Sequence, residues 1–108
     1  MEAGMNVDIV RLLDLMEQEE RMLRKHNEVF WANWLKEGGT LLKAGDFRGI
    51  THVLDGFGGM ESLNDLLISP LNGHVIDEAN SREVNSAIQK LLSAIHALAS
   101  AISDKRGA

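Results

Sequence analysis

Ser62, Asn64 and Asp65 stand within one short run, FGGMESLNDLL, spanning Phe57 to Leu67. A hydroxyl near a carboxylate is the raw material of a nucleophile and its base. No histidine is close in sequence, and no G-x-S-x-G elbow surrounds Ser62. The same residue types favour turns and caps, because their short side chains bond nearby backbone. Capping is the reading preferred here. Just upstream, Gly58 and Gly59 could turn successive backbone N–H groups towards an anion. Their spacing fits neither G-x-G-x-x-G nor a phosphate loop with its lysine, so glycine is read as supplying the positive φ that ends a helix abruptly. Gly58, Gly59, Met60, Ser62, Asn64 and Asp65 stay as candidate ligand or partner residues, and no catalytic residue is assigned.

Other chemistry is sparser. His26, His52, His74 and His96 lie far apart and lack the three- or four-residue spacing of helical metal ligands. No metal site and no cofactor is expected, and His96 reads as a hydrogen-bonded residue at the edge of an apolar seam. Trp31 and Trp34 share a helix face and, with Phe30, concentrate the aromatic surface. Such a pair can anchor a partner protein, but core packing is the favoured role, since each ring has a large area to bury. Both remain partner candidates. The acidic run Glu17 to Glu20 reads as a solvated helix face that could meet a basic partner.

The elements that must position these groups are helical. From Asn6 to about Lys25, Ile9, Leu12, Leu13, Met16 and Leu23 recur at helical spacing, with Asn6 as N-cap. Asn27 is placed to cap a second helix, from about Glu28 to Ala44, in which Gly38 and Gly39 mark either a weak point or a close contact. Gly45 suits a left-handed helix end and Asp46 the next cap, with a short third helix from Phe47 to Asp55. Residues 61–80 are irregular: one helical turn in ESLNDLLI, turns at Pro70 and LNG, and a tiny hairpin pairing Leu66–Ile68 with His74–Ile76. In the last helix Asn80 and Glu83 read as a capping box. Val84, Ile88, Leu91, Ile95, Leu98 and Ile102 then form a heptad-like seam flanked by Ala87, Ala94, Ala97 and Ala101.

Composition sets the outer limits. The chain has 108 residues, 44% apolar and 25% charged, which suits one soluble domain. Its net charge of −5 and scattered basic residues disfavour nucleic acid. There is no cysteine, which fits a reducing cytoplasm. No run approaches the roughly 20 apolar residues of a membrane span, and the acidic N-terminus is unlike a signal peptide.

Several motifs together resemble a functionally uncharacterised family of small bacterial proteins. They are Trp31, Ala32, Trp34 and Leu35 of a WA-x-W-L helix; Gly45, Asp46, Phe47 and Gly49 of a GDF-x-G turn; and Gly58, Gly59, Met60, Ser62, Asn64, Asp65 and Leu66 of a GGMGS-x-ND-L signature. The likeness extends from about Phe30 to Ile102, with Glu61 where the family has glycine. It implies the same fold boundaries and supplies no activity.

The expectation is an all-α, bundle-like single domain of four main helices, with an irregular Gly-rich loop between the third and fourth and frayed ends at 1–5 and 103–108. The expected function is non-enzymatic binding, of an accessory or immunity type. The partner would be another protein, or a second copy meeting it through the last helix, in the cytoplasm and without membrane or nucleic acid. The alternative is a small-ligand or hydrolytic site on Gly58 to Asp65 with a histidine such as His52.

Overall fold

The computed structural model describes residues 7–58 and 62–107. These residues form four α-helices, α1 (Val7–Lys25), α2 (Val29–Lys43), α3 (Arg48–Asp55) and α4 (Ser81–Gly107), with three 3-10 turns between α3 and α4 and no strand. The all-α bundle is as expected. Asn6, the expected first cap, and the loop residues Gly59, Met60 and Glu61 lie outside the described residues.

On α1 the apolar stripe Ile9, Leu12, Leu13, Met16 and Leu23 is buried. The helix ends with two backbone bonds closing over its last turn, Glu28 N–H to the Leu23 carbonyl at 2.8 Å and Asn27 N–H to Arg24 at 3.1 Å. That closure needs a left-handed residue, and Asn27 supplies it at φ 65°. Asn27 is therefore not the cap of α2. Glu28 is, its carboxylate accepting from the Trp31 N–H at 3.1 Å. Gly45, at φ 79°, ends α2 in the same way.

The Gly38–Gly39 step is a contact, and α2 runs through it unbroken. A Cβ on Gly38 would stand 2.9 Å from Val53 Cγ2, and one on Gly49 would stand 2.7 Å from Leu42 Cγ and 2.8 Å from the Gly38 carbonyl oxygen. Bare backbone on both helices lets α3 lie directly on α2. Around this pair, α1 packs against α2 and α4, and α3 bridges α2 and α4. Neighbours run antiparallel: Lys43 at the end of α2 reaches Glu17 at 2.9 Å, and Lys105 near the end of α4 reaches Asp8 at 3.2 Å.

The buried face of α4 is Ile88, Leu92, Ile95, Ala99 and Ile102. Leu91 and Leu98, expected in the seam, sit half-buried beside it. Contact with both α1 and α3 favours a stripe wider than a two-helix seam. The Asn80–Glu83 capping box does not form: the Asn80 N–H that Glu83 would take is given to the Asp77 carbonyl at 2.9 Å, within the 3-10 turn Glu78–Asn80 that Asp77 caps by accepting from the Ala79 N–H at 3.2 Å. At the other end α4 continues through Gly107, with the Arg106 guanidinium 3.7 Å from the centre of the Phe47 ring.

The expected hairpin is absent as well. Ile68 donates its N–H to Asn85 Oδ1 at 2.7 Å and accepts from Asn85 Nδ2 at 3.0 Å. One side-chain amide on α4 thus satisfies the backbone that a partner strand would have paired. Ile68 itself is fully buried, together with Leu63, and joins the helical core.

Candidate functional site

Two turns of irregular chain meet the α1–α2 corner. The first is the glycine loop. Gly58 adopts φ 90°, and its N–H donates to Asn64 Oδ1 at 3.0 Å. The Ser62 hydroxyl donates to the same oxygen. Leu63 N–H closes back on the Gly56 carbonyl at 2.7 Å. Asn64 therefore ties the two sides of the loop together, the role that capping chemistry predicts for it. Gly56, just before, passes over the indoles: a Cβ there would stand 2.9 Å from Trp34 Nε1 and 3.2 Å from Trp31 Cζ3.

The second turn runs from Ser69 to Val75 and is clasped residue by residue. His26 donates from Nδ1 to the Val75 carbonyl at 2.7 Å and accepts the Val75 N–H at its own carbonyl at 3.0 Å. Asn27 Nδ2 donates to the Gly73 carbonyl at 3.4 Å. Glu28 Oε1 meets His74 Nε2 at 2.8 Å. His74 Nδ1 accepts from the Ser69 N–H at 3.0 Å, so the proton must sit on Nε2 and point to Glu28. Both ring nitrogens of this buried histidine are thereby engaged.

Between the two turns lies a hollow of about 270 Å³, lined by Glu28, Trp31, Ser62, Asp65, Leu66, Leu67, Asn72 and His74. The structure thus brings Ser62, Asp65 and Trp31 to one place, and the histidine that joins them is His74. His52 is elsewhere: it stacks on Trp34 at 4.0 Å between ring centres and donates from Nε2 to the Trp34 carbonyl at 2.9 Å. Asn64 and Gly58 border a separate hollow with Phe57 and His96. His96 is exposed, and its neighbour is the Phe57 ring at 4.8 Å, not the hydrogen-bond partner expected of it. Candidate residues Gly59 and Met60 lie outside the described residues.

The tryptophans sit at the margin of the core, with Trp31 packed against it. Both are half-buried, and with exposed Phe30 they form an aromatic layer, Trp31 to Trp34 at 5.6 Å and Phe30 to Trp31 at 4.9 Å. The Trp34 Nε1–H is buried without an acceptor. Placement on the first turns of α2, beside a corner and under a passing glycine, leaves one edge of the layer in water.

Glu19 is the functional group that sequence reasoning missed. The run Glu17 to Glu20 is not a solvated face throughout: Glu17 pairs with Lys43 and Glu20 with Arg24, each at 2.9 Å, but Glu19 is 0% exposed. Neither carboxylate oxygen has a hydrogen-bond partner. Burial alone pushes its pKa up to about 8. The signal was available in the spacing, since Glu19 falls three residues after Met16 and four before Leu23 on the buried stripe.

A family profile described as "Domain of unknown function (DUF6966)" matches residues 24–77. The chain belongs to this family. No curated protein and no solved structure matched. DUF6966 here spans the α1–α2 corner, α2, α3 and both irregular turns, and stops where α4 is about to begin, short of the Ile102 limit read from the motifs. Its matched part is the part that builds the hollow and the clasp. Among the described residues no group of three His, Asp or Glu side chains could hold a metal ion, and no helix is long and apolar enough to cross a membrane.

Proposed function

We propose that this chain is a non-enzymatic interaction protein, acting as one domain in the cytoplasm in an accessory or immunity-type role. The surface it offers is the end of the bundle where α1 turns into α2. One observation carries the reading: large apolar side chains are left in water around that corner. Phe30 is 65% exposed and Leu71 96%, and Val29, Leu67 and Val75 are each about half exposed or more. Grouped apolar side chains of this kind mark binding surfaces. The chemistry of the neighbouring polar groups supports the same reading. The Ser62 hydroxyl is directed at an amide oxygen, and His74 has no ring nitrogen left to act as a base. A small-ligand site on the glycine loop is the alternative, supported by Ser62 and Asp65 lining the hollow. Exposed Ala94, Ala97 and Ala101 on α4 support a second copy as the alternative partner.

The test compares the wild type with a Leu71→Ser, Val75→Ser double variant. Both are used as bait under gentle cross-linking in the native host, with light scattering of the purified chains. A defined protein partner held by the wild type and lost by the variant is the expected result. Recovery of no partner, or equal recovery by both, would overturn the proposal. A dimer that persists in the variant would move the interface to α4.

A further inference from the structure

We infer that the hollow between the two irregular turns receives one basic side chain, arginine or lysine, from an extended segment of the protein partner, with apolar neighbours of that residue resting on Leu67, Leu71 and Val75. The inference rests on the interaction function proposed above and names the chemistry of the partner. Size comes first. At about 270 Å³ the hollow is slightly smaller than the roughly 300–1,000 Å³ of small-molecule sites, and suits a single long side chain.

Charge decides its kind. Residues 49–81 contain Asp55, Glu61, Asp65, Asp77 and Glu78 and no lysine or arginine, so the whole net charge of −5 arises in this segment. Two carboxylates, Glu28 and Asp65, line the hollow itself. Glu28 is engaged by His74 and the Trp31 N–H. The Asp65 carboxylate is exposed and has no hydrogen bond among the described residues. No lysine or arginine lines the hollow, and Arg24, on the last turn of α1, bonds Glu20 and Asn33. Trp31 supplies an aromatic wall, which attracts a cation that has shed water. An incoming guanidinium or ammonium therefore finds an unpaired carboxylate, an aromatic ring and no competing positive charge.

The probe is a random dodecapeptide library displayed on phage and panned on the full chain, with the enriched peptides then synthesised and titrated. Enriched sequences are expected to carry arginine or lysine between apolar residues and to bind Asp65→Asn roughly three- to fivefold more weakly, as for a rim charge pair. Their affinity should fall as salt is raised. Asp65 is exposed, so an unchanged melting temperature of Asp65→Asn checks that folding is intact. Enrichment without a basic residue, or equal binding by Asp65→Asn, would overturn the basic anchor. If such peptides are still lost on Leu71→Ser, the interaction function stands without it. If nothing is enriched, both fall. Free arginine amide binding as tightly as the peptides would make this a small-molecule site and overturn the segment.

Discussion

Glu19 and Glu28 are both shielded from water, and the fold treats them in opposite ways. Glu28 sits at the corner with its side chain 13% exposed, one oxygen held by His74 and the other by the Trp31 N–H. Glu19 sits inside the bundle with neither oxygen bonded. The helices packed against α1 bury only apolar residues and glycine: Ala32, Leu35, Gly38, Gly39 and Leu42 on α2, and Ile88, Leu92, Ile95, Ala99 and Ile102 on α4. A buried carboxyl with two donors stitches structure together, whereas one with none is tolerated only while it keeps its proton. The corner is held by polar groups that satisfy one another. The interior carries a group that ties the stability of the whole bundle to pH.

The largest effect should come from Glu19. With a folded pKa of about 8 against an ordinary 4.5, the native state holds a proton that the unfolded chain has already released. The contribution of Glu19 to stability is then fully present below pH 4.5 and is lost as pH rises to 8, by about 5 kcal/mol in all. Urea denaturation at pH 5 and pH 8 measures this. Glu19→Leu should remove the slope and leave the protein more stable than wild type at pH 8. Glu19→Gln should remove the slope with a smaller gain, because its amide is still unbonded. A wild type with equal stability at both pH values would show that Glu19 finds a partner in solution.

Next comes the partnered glutamate. His74→Ala takes the donor from Glu28 Oε1 and the acceptor from the Ser69 N–H, and is expected to cost about 3 kcal/mol. Chemical denaturation reads it, and a loss under 1 kcal/mol would mean that water replaces the imidazole without penalty.

The smallest effects test how closely the helices of the interior are packed. Gly49→Ala drives a methyl into Leu42 and the Gly38 carbonyl oxygen, for a loss of about 2 kcal/mol. Gly39→Ala meets Leu13 Cδ2 at 3.6 Å and Met16 Cε at 4.0 Å, both ordinary contacts, and should gain up to about 1 kcal/mol from helix propensity. Equal melting temperatures for the two variants would mean that α2 and α3 shift apart easily.

Helices were legible from apolar spacing, as in α1 and α2, and the end of α2 from the left-handed glycine at Gly45. Asn64 was legible too, since a short amide in a glycine loop has few roles other than bonding backbone. What escaped depended on partners distant in sequence. Asn27 and Glu28 compete for the same cap, and the choice follows from His74 and Gly73, which dock onto the corner from the far side of the chain. Ile68 looked like a strand residue because its partner is a side chain on α4, which no pattern of alternation reveals. Glu19 was read by its charge when its position on the helical wheel placed it inside. The hollow, too, is assembled from residues of α2 and of both irregular turns, so no local motif announces it.

The clasp of His26, Asn27 and Glu28 on Val75, Gly73 and His74 joins residues 46 to 49 positions apart. Closing so long a span in a free chain costs about 3 kcal/mol in conformational freedom before any constant term, close to what the four hydrogen bonds of the clasp return at about 1 kcal/mol each. The clasp therefore cannot nucleate folding; it latches only after α2 and α3 have drawn its two halves together. By the same reasoning it is a low-cost place for the native protein to come open.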